Sequence, residues 1–493
     1  MKTCATSDAI QSWGEIDFSR AKKSVKKLQR RIATAVRNGN FEKATTLQHR
    51  LVHSFGAKAL AVKTVTSKKG KHTAGVDGVI WRTPEDKFNA ISSLHRRGYK
   101  YSPLRRIYIP KAGGGMRPIS IPTMRDRAMQ TLYKFALEPI AEVTADENSF
   151  GFRPARNAGQ AIRRLVEILS HEPYPEWILK TDVHSFFDSI SQDWVMGHIP
   201  MDKAVLHGLL SSGHICSSIY YKADDGIPQG GSLSNVLGNM TLDGLADVLY
   251  NSIEHYTNNE AATPEGAAAP EGTAASKGAI APEGAAASEG AAAPEGAATP
   301  EGAATPEGAA ASEGGRSTEE EKCAREGHCA EIIRYADDMV IVTDDHDFLV
   351  RAVSTVSHFL AERGLSLSQE KTKIIHVKNG LTFLGYEVHR DNGVVYAKPS
   401  RKGINLIRSN VKKLVSRWSL DEDDALKIWE HYNALNSTIG GWLACYRDTA
   451  TTESLLDVRD MIVNELAKLG GINGHSAIKK VLEIFDKSIK RGK

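Results

Sequence analysis

Long apolar runs are missing from this chain. No stretch of 18 or more apolar residues occurs in its 493 residues, which excludes an ordinary membrane-spanning helix. The segment Met1 to Trp13 is polar and has no apolar h-region, so no secretion signal is expected. Cysteine is scarce: Cys4, Cys216, Cys323, Cys329 and Cys445, with no Cys-x-x-Cys pair. That scatter argues against zinc and against a disulfide framework, and fits a reducing, cytoplasmic compartment. What remains, 41% hydrophobic and 25% charged, has the composition of a water-soluble globular protein long enough for two or three domains.

The charge is unevenly spread. Residues 261–314 are nine hexads of the type Ala-Ala-x-Pro/Ser-Glu-Gly, carrying eight Glu and one Lys, a net of −7. Removing that −7 from the +4 of the whole chain leaves +11 on the rest. Such an excess predicts a polyanionic partner, most simply nucleic acid. The hexads hold one large apolar residue, Ile280. They cannot bury enough surface to offset chain entropy and are expected to be disordered. A surface loop tolerates such length because closure entropy grows slowly.

The run Ile332-Ile333-Arg334-Tyr335-Ala336-Asp337-Asp338-Met339-Val340-Ile341-Val342 frames two aspartates between apolar stretches. It predicts a tight β-hairpin with Asp337 and Asp338 at its tip. Adjacent carboxylates repel, and a divalent cation relieves that repulsion; an exposed turn is the plainer alternative. Trp177 to Val183 reads as a buried strand ending in Asp182, followed by His184-Ser185-Phe186-Phe187-Asp188. A carboxylate ending such a strand is a turn acid or a ligand. Gly226 to Ser234, with Pro228-Gln229-Gly230-Gly231, predicts a turn into a helix reaching about Tyr250. That turn can offer backbone N–H groups and the Gln229 amide to a nucleotide.

Basic residues flank these segments. Residues 20–31 hold seven Lys or Arg in twelve, and Val25, Leu28 and Ile32 recur at helical spacing, so a basic amphipathic helix is predicted. A second helix is expected from Phe41 to about Val65, with Lys63, Lys68, Lys69 and Lys71 forming a flexible basic connector. Arg106 to Pro110 and Lys111 to Pro122 read as strand, glycine turn, strand. There Lys111, Arg117 and Arg125 can converge on phosphate, since glycine lets backbone approach a ligand closely. A helix is predicted over Phe348 to Arg363. From about residue 400 the chain is helical and basic, with Arg408, Lys412, Lys413 and Arg417 at turn spacing.

Taken in order, the glycine hairpin with Thr123 to Gln130, Phe150-Gly151-Phe152-Arg153-Pro154, the Asp182 strand, Pro228-Gln229-Gly230-Gly231, Tyr335-Ala336-Asp337-Asp338, Leu365 to Lys373, Leu381 to Val388 and Leu435 to Arg447 resemble the reverse transcriptases encoded by group II introns. The resemblance implies an α+β right hand of fingers, antiparallel palm and helical thumb. It implies a basic extension over 1–72, fingers and palm over 73–395 interrupted by the 261–314 insertion, and a thumb or maturase-like domain over 396–493.

It also implies RNA-directed DNA synthesis from dNTPs on an RNA template and a DNA or RNA primer. Asp182, Asp337 and Asp338, with Val183, would hold two Mg²⁺. Phe187 would exclude a 2′-hydroxyl, Lys111, Arg117, Arg125, Gln229 and Lys371 would face the nucleotide, and Gly385 would lie in the primer grip. Lys22, Lys23, Lys26, Lys27, Arg408, Lys412, Lys413 and Arg417 would bind RNA, with maturase activity in splicing. The alternatives are a related enzyme of phage defence or a CRISPR-linked system, and an RNA-binding maturase with an idle polymerase. Ala112, Gly159, Asn235 and Met339 depart from the family pattern without removing a carboxylate. No Cys/His nuclease module follows the thumb region, so target cleavage by this chain is not expected.

Overall fold

Three cap residues set the N-terminal layer. A computed structural model describes residues 10–110, 115–172, 174–223, 225–260, 330–418, 424–468 and 471–492; Lys111 and the hexads at 261–314 lie outside them. The chain forms a main unit, residues 1–254 and 328–493, and a second unit, residues 255–327. Asp17, Asn40 and Ser54 accept N-terminal amides of α1 (Phe18–Arg37), α2 (Phe41–His53) and α3 (Phe55–Ser67). The single helix expected from Phe41 to Val65 is therefore two. Ser54 adopts an extended conformation (ψ 134°) and its hydroxyl restarts the helix by accepting from Ala57, an N-cap at mid-run.

On α1, Val25 and Ile32 are buried, while Lys22, Lys23, Lys26 and Lys27 are exposed. The basic connector is not a free link. Lys63 belongs to α3, its ammonium 3.9 Å from the Phe18 ring centroid, and Lys69–His72 form a 3₁₀ turn. Arg127 ties that turn down by donating to the carbonyls of Gly70 and Thr73.

The next elements are α4 (Pro84–Ser93), β1 (Leu104–Pro110), β2 (Met116–Ile121), α5 (Met124–Thr144), α6 (Ala158–Ser170) and β3 (Trp177–Asp182). They are followed by α7 (Phe186–Ser189), α8 (Gln192–His198), α9 (Lys203–Leu210), β4 (His214–Cys216), β5 (Ile219–Tyr221), α10 (Ser234–Leu242) and α11 (Leu245–Glu260). The helix predicted to reach Tyr250 breaks at Asp243-Gly244, where Gly244 has φ +89° and its N–H donates to Asp146. A first sheet has the order β2-β1-β4-β5.

A second sheet, ordered β6-β7-β3-β8, joins β6 (Glu331–Tyr335), β7 (Asp338–Thr343) and β8 (Lys373–His376) to β3; α12 (His346–Ala361) lies between β7 and β8 in sequence. Every pairing in it is antiparallel. Its strands read as nearly unbroken apolar runs because both faces are covered. Ile332, Leu179, Met339 and Ile341 enter one core with α1, α2, α3 and α5. Their neighbours Ile333, Ile178, Val340 and Val342 enter another with α6 and the C-terminal helices. The alternation follows the two-residue period of a strand.

A third sheet contains β9 (Leu381–Phe383), β10 (Tyr386–Asp391) and β11 (Val394–Pro399). The chain continues with α13 (Arg401–Val415), α14 (Ala425–Tyr446), α15 (Thr452–Ala467) and α16 (Gly471–Gly492). Leu384 and Gly385 turn β9 into β10 with φ of 48° and 86°, so Gly385 sits in a hairpin turn. The Tyr446 hydroxyl donates to the Gly385 carbonyl at 3.1 Å, and the Tyr386 hydroxyl donates to the Cys445 carbonyl. These two bonds fasten the end of α14 to that turn. Among the described residues no helix is long and apolar enough to cross a membrane.

Candidate active site

Strand register brings two of the aspartates face to face. Asp182 ends β3 and pairs with Asp338, the first residue of β7; Asp338 also pairs with Tyr335 of β6. The hairpin tip is therefore Ala336-Asp337, one residue earlier than the predicted Asp337-Asp338. The shift follows from pairing, because Asp338 is held in the ladder on both sides. Ala336 takes the left-handed conformation (φ 59°) needed by so short a turn. Directly opposed residues of antiparallel strands hold their Cβ atoms about 4.5–5.5 Å apart, so Asp182 and Asp338 repel at short range.

The electrostatics follow from that register. Burial pushes Asp338 up to about 6, and repulsion from Asp182 and Asp337 adds to the rise. Asp337 is raised as well, by burial first, with Asp182 adding to it and the charges of Lys371 and Arg117 opposing it. The Lys371 ammonium pairs with the Asp182 carboxylate, and that hydrogen bond raises the lysine. Among the described residues no group of three or more His, Cys, Asp or Glu is arranged to hold an ion as it stands. The donor chemistry nevertheless fits magnesium: clustered carboxylate oxygens, only partly offset by the Lys371 charge, are what a hard divalent cation takes.

This repulsion has a stability consequence. Asp338 has a higher pKa folded than its ordinary 3.8, so its favourable contribution is complete below about pH 4 and lost as pH rises through 6. In cation-free buffer, Asp338→Asn should match wild type near pH 4. Above pH 6 it should be more stable by about 1–2 kcal/mol, a figure reduced for partial solvent screening. Denaturant midpoints measured from pH 4 to 8 check this; a constant difference would contradict it.

The other predicted residues are distributed around this centre. Val183 is buried and faces Leu367 in a local antiparallel bridge. The flanking bonds run from Ser368 to the Asp182 carbonyl and from His184 to the Ser366 carbonyl, so this bridge leaves the Val183 carbonyl unused. Gln229 donates to both carboxylate oxygens of Asp188 at 3.4 Å. Beside it opens a cleft of about 250 Å³ lined by Phe187, Asp188, Arg106, Lys222 and Pro228. Arg117 is exposed on β2.

Arg125 is occupied elsewhere. Its Nε donates to the Ser93 carbonyl at 3.2 Å and its guanidinium lies 5.0 Å from the Tyr99 ring centroid. Arg408 and Lys412 both approach the buried carboxylate of Glu465, at 3.9 and 3.8 Å. Lys413 and Arg417 are exposed.

Several residues under the hairpin have supporting roles that the sequence does not assign. The Arg334 guanidinium, buried beside the acidic turn, pairs with Asp243 and lies 3.5 Å from Asp146. Phe150 donates its N–H to the Arg334 carbonyl, and Arg334 donates its own to Asn148. Gly151 lies directly against the turn: a Cβ on it would sit 2.3 Å from the Ala336 nitrogen. The readable signal was an arginine inside an otherwise apolar strand, since a buried charge requires partners.

Comparison with known proteins bears on this arrangement. Residues 13–94 match the family described as the N-terminal domain of reverse transcriptase. Residues 109–259 and 319–388 match the family described as reverse transcriptase (RNA-dependent DNA polymerase). The chain belongs to the reverse transcriptase family. Its α+β right-hand fold is the one expected from sequence, and the matched stretches contain all three aspartates. The reverse transcriptase match is interrupted between residues 259 and 319, the interval that holds the hexads.

Relatives of this reverse transcriptase include Protein YkfC of Escherichia coli, 27% identical over 372 residues, or 71% of this chain and 86% of that protein. The putative COX1/OXI3 intron 2 protein of Saccharomyces cerevisiae is 27% identical over 368 residues, 71% of this chain and 40% of that protein. Group II intron-encoded protein LtrA of Lactococcus lactis is 31% identical over 192 residues, 37% of this chain and 32% of that protein. The chain thus spans well under two thirds of the last two. Apo telomerase from Candida tropicalis has a TM-score of 0.37 at 11% identity, over 81% of this chain and 68% of that one, a likeness too distant to argue from.

Proposed function

We propose that this reverse transcriptase copies RNA into DNA in the manner of group II intron proteins and also grips a structured intron RNA as a maturase. The observation that carries the polymerase reading is the register of Asp182 against Asp338, with Asp337 at the adjoining turn. In this reading fingers and palm span 73–395 and the thumb begins near 396. Asp182, Asp337 and Asp338, with the Val183 carbonyl, hold two Mg²⁺. Metal ions held there would supply activation of a primer 3′-hydroxyl and neutralisation of the triphosphate. Arg117 and Lys371 supply positive charge to the nucleotide phosphates, as Lys111 would. Lys371, paired here with Asp182, would exchange that carboxylate for a phosphate oxygen where a cation took its place. Phe187 lines the sugar side and Gln229 presents its amide beside it. Arg125, committed to Ser93 and Tyr99, acts on the nucleotide only through the packing of that region.

The exposed lysines of α1 supply the RNA grip, and Lys413 and Arg417 add to it from the thumb. Arg408 and Lys412 contribute less, because Glu465 already neutralises part of their charge. Replacing Lys22, Lys23, Lys26 and Lys27 with alanine should weaken binding to a long folded RNA and flatten its salt dependence, because these contacts are to phosphate. Extension of a short pre-annealed primer on an RNA template should stay near wild type. If both assays fell together, α1 would belong to the polymerase core; if neither moved, its charged face would be merely solvated.

A further inference from the structure

Phe152 combines three features that packing alone does not explain. Its backbone is left-handed, with φ 58°, a conformation that strains a bulky residue. Phe152 is 45% exposed, so burial does not offset the strain. Its ring centroid stands 6.4 Å from that of Phe187, at 54°, within the range of a tilted aromatic pair.

The strain is imposed by a buried frame. Arg153, itself only 9% exposed, donates to both carboxylate oxygens of Glu142 at 3.2 and 3.1 Å. It also donates to the carbonyls of Asp146 and Ser149, each at 2.9 Å. Asn239 of α10 donates to the Gly151 carbonyl at 2.6 Å. Residues on both sides of Phe152 are thus pinned, which fixes the backbone that aims its ring toward Phe187.

Phe187 is held from the other directions by its own element and by α10. Its centroid lies 5.0 Å from that of Phe186. Gly238 leaves room for both rings: a Cβ there would stand 3.0 Å from Phe186 and 3.1 Å from Phe187. Phe152 is the further aromatic ring against Phe187 on a different segment.

We propose that Phe152 is a specificity-determining residue, its ring bracing Phe187 so that the sugar-facing wall stays closed to a 2′-hydroxyl. The proposal rests on reading Phe187 as that wall. Without the brace, the Phe187 side chain gains rotamer freedom and a ribonucleotide fits at lower cost. A single lost apolar contact changes selectivity on the order of tenfold.

The test uses the full-length protein with Mg²⁺ on a short DNA primer annealed to RNA, comparing kcat/KM for dNTP and rNTP. Phe152→Asn removes the ring while keeping a residue that tolerates the left-handed backbone, so its folding is not at risk. Phe152→Tyr keeps the ring, and Phe187→Val removes the wall itself. The expected result is a discrimination loss of about tenfold in Phe152→Asn, arising mainly from a lower KM for rNTP, with wild-type discrimination in Phe152→Tyr. Unchanged discrimination in Phe152→Asn beside relaxed discrimination in Phe187→Val would overturn the brace alone. Unchanged discrimination in Phe187→Val would overturn the reading of the wall, and the proposal with it. Loss of dNTP incorporation in Phe152→Asn equal to that of rNTP would also overturn it, since a general structural role moves both together.

Discussion

Asp337→Asn should reduce primer extension by about 10³-fold or more, a barrier increase of roughly 4 kcal/mol, and leave RNA affinity within about twofold. The substitution is nearly isosteric, so the turn at Ala336-Asp337 keeps its shape. What disappears is one negative charge from a group of three. Burial and Asp182 both raise Asp337, and a divalent cation beside it would favour the charged form. RNA affinity, in the proposed reading, comes from dispersed lysines on α1, which are exposed and far along the chain from the hairpin. Single-turnover extension and filter binding on the same preparation separate the two. Extension at a wild-type rate would remove Asp337 from the metal set.

Gly151→Ala should be nearly as damaging, although Gly151 carries no chemistry. A Cβ there would lie 2.3 Å from the Ala336 nitrogen, 2.7 Å from the Tyr335 carbonyl carbon and 3.0 Å from the Ala336 Cβ. The first two are backbone atoms, so no side chain can swing aside. Either the 151 segment or the acidic turn must move. The segment is held by Asn239 and Arg153, which leaves the turn, with its already left-handed Ala336, as the part that yields. A displacement of about 1 Å at a reacting centre costs on the order of 10²-fold in rate. The expected signature is a fall in kcat of that size with RNA binding retained. Wild-type kcat would show that the turn accommodates a methyl group.

The contrast between these two residues shows what was legible in the sequence. Asp182, Asp337 and Asp338 stand out locally, each at the end of an apolar run, and the strands bearing them follow from periodicity. The direct opposition of Asp182 and Asp338 does not, because pairing partners far apart in sequence leave no local trace. Gly151 looks like any turn glycine until Ala336 is beside it. Arg125 illustrates the same limit from the other side: Ser93 and Tyr99, which hold it, come from an earlier segment. Arg408 and Lys412 likewise meet Glu465 on another helix, a partner that local spacing does not reveal. The helix breaks at Ser54 and at Asp243-Gly244 were readable in principle, as a capping serine and a glycine after an aspartate. Continuous apolar spacing masked both.

The order of strands in the second sheet carries a consequence for how the molecule comes into being. Its central strand, β3, pairs with β7 on one side and with β8 on the other, Trp177 meeting His376. The sheet therefore stays incomplete on the ribosome until His376 has been synthesised. The helices α1, α2, α3 and α5, by contrast, also pack on one another, and those contacts all lie within residues 18–144. Pairing across such sequence distance is slow, since loop closure precedes any reward from contact. Lengthening the chain between α11 and β6 adds little to that delay, because each doubling of a flexible loop adds only about 0.6 kcal/mol. The surface that carries the basic helix thus matures early in synthesis, and the acidic turn matures late.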